Sequence, residues 1–148
     1  MFGARRFAML GQALKSEESS LRMSYAKSRL AEIEQRRRVF RAAEAGMTQR
    51  DIAKSAHLSQ PTVHRMIQQA KALGVEETIE EIVLARFVGD IDTGQMMRRL
   101  RGYPHWVLRV IDPADGLLPE DSRSEMDFLA MDGFLSDDEA DSVVDAHE

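Results

Sequence analysis

The stretch that decides the fold is Met47 to Leu73, MTQRDIAKSAHLSQPTVHRMIQQAKAL. A cap at Thr48 predicts a short helix that ends near Ala56. A second cap at Ser59 predicts that another helix starts about three residues later, with Pro61 in its first turn, where a missing N–H is harmless. The stretch therefore predicts two short helices joined by a tight corner.

The two predicted helices have complementary faces. Their apolar residues fall at the spacings that crossed helices need to share one small core. These predicted core residues are Ile52, Ala53, Leu58, Val63, Met66 and Ile67. The other face of the second helix carries Gln60, Thr62, His64, Arg65, Gln68 and Gln69. Such side chains are long enough to reach base edges and phosphates, so this face is predicted to contact DNA.

The pattern TQRDIAxxAxLSQPTVHRxI at residues 48–67 resembles the helix-turn-helix of bacterial DNA-binding proteins. The nearest types are the LacI-type repressor headpiece and the C-terminal DNA-binding domain of resolvases and invertases. In those families the corner residue is usually a left-handed Gly, whereas this chain has His57. His is among the non-glycine residues enriched at positive φ. The resemblance implies a major-groove DNA-binding unit.

Residues 28–45 predict the further helix that a helix-turn-helix needs to close its core, and Gly46 ends that helix. The residues expected to face inward are Leu30, Ile33, Phe40 and either Ala43 or Ala45. No pair of alternating strands follows immediately, which argues against an adjacent wing. The fold class predicted is therefore all-α, with a three-helix DNA-binding domain at 28–74.

Two sets of DNA contacts are expected. The residues predicted to face base edges are Gln60, Pro61, His64 and Arg65, since Gln can pair with adenine and Arg with guanine. The residues predicted to hold phosphates are Arg36, Arg37, Arg38, Arg41, Thr48, Gln49, Arg50 and Thr62. A run of arginines can also be a solvated face, but beside a DNA-binding helix the phosphate interpretation is favoured.

The charge of the 148 residues is divided along the chain. The net charge of −5 combines a basic half, residues 1–74, having 14 Lys and Arg against 6 Asp and Glu, with an acidic half, residues 75–148, having 6 against 19. The two halves are therefore expected to have different partners. The chain has no cysteine, which excludes disulfides and thiolate metal sites.

Residues 1–27 have little periodic pattern and are predicted to be a flexible tail. Met23 is a possible alternative start of translation. The N-terminus is too polar for a signal peptide and no apolar run is long enough to span a membrane, so a cytoplasmic protein from a bacterium or phage is expected.

The acidic half, residues 75–148, is predicted to be rich in helical hairpins. One covers 78–101 and another 129–146, and each has a helix, a glycine, an aliphatic residue, a cap and a second helix. Placing Gly133 on Gly89 aligns Leu135 with Ile91 and the predicted cap Ser136 with the predicted cap Asp92, although few identities support a duplication.

The residues between the hairpins include candidates for partner binding. Trp106 to Ile111 is an apolar run compatible with a strand. Tyr103, Trp106 and Leu108 are either core residues or exposed anchors for a partner. The acidic end of the chain is interpreted as a solubilising helix, as a surface for a basic protein, or as a segment that covers the chain's own DNA-binding face.

Catalytic and metal-binding motifs are absent from the sequence. It has no phosphate-binding glycine loop, HExxH or GxSxG pattern, and its four histidines do not share ligand spacing. We therefore expect neither enzymatic activity, cofactor nor metal.

The sequence predicts a sequence-specific transcriptional regulator, and a repressor is favoured over an activator. Its partner is expected to be double-stranded DNA, bound by a homodimer that forms through the acidic half. The alternative is an antitoxin that represses its own operon and neutralises a basic toxin through residues 75–148. An accessory factor of recombination or transposition is a third class.

Overall fold

The structure is a computed structural model that describes residues 2–108 and 121–148. Its regular elements in those residues are all helices, which confirms the all-α prediction. They are α1 (Phe2–Glu44), α2 (Gln49–Ala56), α3 (Gln60–Leu73), α4 (Ile79–Phe87), α5 (Thr93–Arg101), α6 (Ser122–Met131) and α7 (Asp137–His147). No wing follows α3, because the next described element is the helix α4.

Helix α1 is much longer than the sequence predicts. It begins at Phe2, so residues 2–27 belong to a continuous helix, whereas a flexible tail was expected over residues 1–27. The local pattern did not reveal this because the contacts that hold residues 22–30 lie far away in sequence. Ala26, for example, is completely buried against the C-terminal helices. Among the described residues, no helix is both long enough and apolar enough to cross a membrane.

Helix α1 belongs to two hydrophobic cores. Ala26 and Leu30 pack into a large core formed with α4 to α7. Further along the same helix, Val39 and its neighbours pack into a small core with α2 and α3. The boundary predicted at residue 74 therefore separates α3 from α4, but α1 is shared by both halves.

The acidic half consists of two helical hairpins that pack on each other. Gly89 (φ 89°) and Gly133 (φ 78°) end α4 and α6 in conformations with positive φ, as the predicted alignment requires. Asp92 and Ser136 then cap α5 and α7, and both caps are complete capping boxes. The two hairpins thus share one local design, built from side-chain caps and glycine turns.

Ion pairs join α1 to α4 across the boundary between the basic and acidic halves. The Arg37 guanidinium donates to both Glu81 carboxylate oxygens at 2.9 and 2.8 Å, and Arg29 pairs with Glu80. The hydrogen bond to Glu81 raises the pKa of Arg37 despite the opposing effect of burial. Part of the charge division in the sequence is therefore neutralised inside the molecule.

The segment after α5 packs on the C-terminal core. Tyr103 and Trp106 are half-buried against it, and Trp106 stacks on His147 with ring centroids 4.1 Å apart and planes 4° apart. Leu108, in contrast, is 57% exposed. Trp106 to Leu108 form no strand, and the remainder of the predicted run lies outside the described residues.

Candidate nucleic-acid interface

The corner between α2 and α3 is defined by two caps and one left-handed residue. Thr48 Oγ1 accepts a hydrogen bond from the Asp51 N–H at 3.1 Å, and Ser59 Oγ accepts one from the Thr62 N–H at 3.3 Å. Between them His57 has φ 56° and ψ 42°, in the left-handed region. His57 thus supports the sharp turn that glycine makes in the families the sequence resembles.

A small apolar core holds α3 against α1 and α2. The exposed fractions of its most buried residues are Val63 0%, Ile52 3%, Val39 3%, Ile67 5% and Ala53 6%. Leu58 and Met66 are partly buried against this cluster. The structure therefore brings together all six residues expected for the core, and α1 contributes Val39 where Phe40 was expected.

The outward face of α3 carries the residues expected to read bases. Gln60, Pro61, His64 and Arg65 are all exposed. The amide Nε2 of Gln49 lies 3.3 Å from Nδ1 of His64, so the start of α2 is joined to the middle of α3. The sequence analysis missed this contact, because it joins residues on different helices.

Nothing in the described part of the acidic half covers this face. Helix α3 contacts α1 and α2, and no contact joins α2 or α3 to α4, α5, α6 or α7. The interpretation in which the acidic end covers the DNA-binding face therefore receives no support from residues 2–108 and 121–148.

Five of the eight residues expected to contact phosphate are exposed, and the other three, Arg36, Arg37 and Thr62, are partly buried. Thr48, Gln49 and Arg50 are exposed around the start of α2, and Arg38 and Arg41 are exposed on α1. Arg38 Nε also donates to Glu34 at 2.8 Å. Thr62 is half-buried, and its hydroxyl lies 2.7 Å from Ser59 Oγ. The Thr62 hydroxyl therefore belongs to the hydrogen-bonded cap at the start of α3.

Arg37 does not fit the phosphate role. The Arg37 side chain is only 14% exposed, and its Nε donates to the carbonyl of Val75 at 2.8 Å in addition to the Glu81 pair. Arg36 is half-buried and lines a cavity together with Gly74 and Val75. The structure thus corrects the expectation for Arg37, which binds the acidic half because a carboxylate distant in sequence lies beside it.

The family comparison supports the same segment. Residues 38–69 match the family model described as the IclR helix-turn-helix domain. The match starts in the last part of α1, includes α2 and extends into α3. No curated protein and no solved structure matches the chain.

These findings place a bacterial helix-turn-helix DNA-binding region in this chain, and they support a DNA-binding transcription regulator. The matching model is of the IclR type, so the LacI or resolvase subtype expected from the sequence is not confirmed. A regulator of this class is consistent with a non-enzymatic protein.

Proposed function

We propose that the protein is a sequence-specific DNA-binding regulator that represses transcription by inserting α3 into the major groove. The observation that carries this proposal is the division of α3 into two faces. Val63 and Ile67 are buried in the core of the helix-turn-helix, while Gln60, His64 and Arg65 are exposed on the other side. A helix held in this way presents hydrogen-bonding side chains to base edges without losing its packing.

The contacts are divided between reading and positioning. Arg65 is suited to a bidentate contact with guanine and Gln60 to one with adenine. The N-terminus of α2, with Arg50, and the exposed Arg41 on α1 would contact phosphates and set the register. Repression follows if the bound site overlaps a promoter. A single unit of this size binds weakly, which favours a dimer on two half-sites.

A binding experiment with matched arginine variants tests this function. A preferred site is first selected from random double-stranded DNA, and the affinity of each variant is then measured on that site and on single-base changes of it. We expect Arg65→Ala to weaken binding about 10-fold or more and to lose discrimination at one base pair, because a bidentate contact contributes about 1–3 kcal/mol.

The control removes the same charge elsewhere. Arg98 is exposed on α5, in the half that does not contact α3, so Arg98→Ala should bind the selected site as the wild type does. If no site can be selected, or if Arg65→Ala retains both affinity and base preference, α3 is not the reading helix.

The antitoxin alternative is kept because an apolar patch lies on the acidic half. Phe128 is 67% exposed and Met131 is 82% exposed, and they lie three residues apart on one side of α6. Acidic residues flank them at Asp127 and Asp132, so the patch suits a basic protein with an apolar anchor.

The test of the alternative uses the full chain, because Ala26 and Leu30 of α1 are part of the core of the acidic half. A basic protein encoded beside this gene should form a stoichiometric complex with the wild type and be released by Phe128→Glu. Lys71→Glu, an exposed change on α3, is the control and should leave such a complex intact. Failure of the neighbouring gene product to bind would remove the antitoxin proposal.

A further inference from the structure

The first half of α1 is a helix without a partner. Residues 3–10 and 12–21 are exposed, and the first contact with the remainder of the molecule is made by Arg22, which lies over the ring of Phe134 at 4.5 Å. We call residues 3–21 the projecting segment. At a rise of 1.5 Å per residue it extends about 27 Å from the body.

One side of the projecting segment is apolar. Phe7 is 80% exposed, Leu10 60%, Leu14 64% and Leu21 70%. Their spacing of three, four and seven residues places them on one stripe, the a and d positions of a heptad pattern. In proteins, most of the stability of a helix comes from the packing of its apolar face. The stripe, Phe7, Leu10, Leu14 and Leu21, is therefore expected to be covered.

We propose that a second copy of this chain covers the apolar stripe, and that the two projecting segments pack as an antiparallel pair. The charges decide the direction. Glu17 occupies the d position between Leu14 and Leu21. A parallel pair would place Glu17 against the same residue of the second copy, where two carboxylates repel each other.

The antiparallel arrangement removes this repulsion. When Leu10 lies opposite Leu14 of the second copy, Arg6 at the edge of the stripe lies beside Glu17 of the second copy. The same register places Leu21 opposite Gly3 of the second copy, and it places Glu17 opposite Phe7, one residue from Arg6. Arg6 and Glu17 then form an opposite-charge pair on each side of the two-fold axis.

The size of the contact indicates a reversible dimer. Two helices of this length bury roughly 1,000 Å² in total, near the lower limit for a specific interface. The exposed Met9 lies on the opposite side of the helix, since residues 7 and 9 differ by about 200° in direction. It remains outside the contact and provides a matched control.

The antiparallel pair has a consequence for DNA that rests on the proposed function. Val39, where α1 enters the core of the helix-turn-helix, is about 40 Å along the helix from the middle of the pair, at 1.5 Å per residue. The two DNA-binding units would lie about 80 Å apart. They would thus bind half-sites farther apart than the usual separation of about 34 Å, or two separate duplexes.

Sedimentation of the full chain without DNA tests the dimer independently of DNA binding. We expect a monomer–dimer equilibrium in the wild type and a dissociation constant about tenfold higher or more in Leu14→Glu. Met9→Glu should dimerise as the wild type does. Because Leu14 is exposed in the single chain, thermal unfolding followed by circular dichroism should show that the body of the Leu14→Glu monomer keeps its stability, and any loss of helix should be confined to the uncovered projecting segment.

Exchanging the charges of Arg6 and Glu17 tests whether the two projecting segments are antiparallel. Arg6→Glu and Glu17→Arg should each weaken the dimer, and the variant with both changes should recover it, which only the antiparallel register predicts. The proposal is overturned if the wild type is monomeric at about 100 μM, if Leu14→Glu leaves a dimer unchanged, or if the double exchange fails to restore association. Binding of the segment to anionic lipid vesicles in place of self-association would also overturn it.

Discussion

His57 is the residue at which this chain departs from the helix-turn-helix pattern it resembles. Its φ of 56° is the only positive value among the described non-glycine residues. The Leu58 N–H donates back to the carbonyl of Ala53 at 2.9 Å, so the turn is closed by backbone hydrogen bonds whichever residue occupies the corner. A side chain in the left-handed region costs free energy that glycine does not incur.

We therefore expect His57→Gly to raise the free energy of unfolding by about 0.5–1 kcal/mol, because it relieves the left-handed conformation without loss of a packed side chain. His57 is exposed, so no core contact is removed. Chemical denaturation followed by circular dichroism measures the change.

Lys54→Gly is the control for His57→Gly. It places the same residue inside α2, where glycine should lower stability by about 1 kcal/mol. If His57→Gly destabilises the protein as much as Lys54→Gly does, the left-handed corner carries no strain.

In the acidic half, Glu139 both takes part in the cap of its own helix, α7, and pairs with a residue of α4. Glu139 accepts from the Ser136 N–H at 2.9 Å in the capping box of α7 and pairs with the Arg86 guanidinium of α4 at 3.0 and 3.1 Å. Burial alone would raise the pKa of Glu139, but the hydrogen bonds from Arg86 and Ser136 outweigh burial and lower it. One carboxylate therefore connects the first hairpin with the second.

A group with a lowered pKa in the folded state stabilises the protein above its unfolded pKa and loses that effect as pH falls. We expect Glu139→Gln to lower the free energy of unfolding by about 1–2 kcal/mol at pH 7, since Gln keeps the capping hydrogen bond but loses the charge. The difference from the wild type should shrink as pH falls below about 4.5 and through the folded pKa.

Denaturation at several pH values measures this dependence on Glu139. Asp90→Asn, an exposed change beside Gly89, should follow the wild-type curve. A constant difference between Glu139→Gln and the wild type at every pH would assign the loss to packing and not to charge.

At the scale of the whole molecule, α1 carries both halves. The Arg37–Glu81 pair lies at the point where the helix passes from the C-terminal core to the helix-turn-helix. Both side chains are at most 16% exposed, so the interaction is weakly screened by solvent. The pair is therefore expected to hold α4 to α1 and not to contact phosphate.

Two arginine variants separate these roles. Arg37→Ala should lower the free energy of unfolding by about 2 kcal/mol or more, because it leaves Glu81 partly buried without its cation. It should leave the slope of log affinity against log salt unchanged. Arg41→Ala should do the opposite, reducing the slope by about 0.9 for one lost phosphate contact while stability changes by about 0.5 kcal/mol or less.

Stability and salt-dependent DNA binding are measured on the same preparations. The double variant Arg37→Ala with Glu81→Ala should recover part of the stability lost in Arg37→Ala, because no charge is left buried alone. If Arg37→Ala reduces the slope of log affinity against log salt concentration, Arg37 contacts phosphate after all.

The sequence by itself was sufficient to predict the features that depend on neighbouring residues. The caps at Thr48, Ser59, Asp92 and Ser136 were visible because each acts within one turn of its own helix. The two faces of α3 and the glycine that ends the helix before each hairpin turn follow from helical periodicity and backbone preference, which are also local.

The tertiary structure decided the features that join distant residues. It placed Val39 in the core of the helix-turn-helix, paired Arg37 with Glu81, and extended α1 to Phe2. The sequence did not predict the first half of α1, because its apolar stripe is interrupted by Glu17 and because the residue buried on the body, Ala26, packs against helices that are distant in sequence. Packing and ion pairing depend on which surfaces meet in space, and spacing along the chain does not encode that.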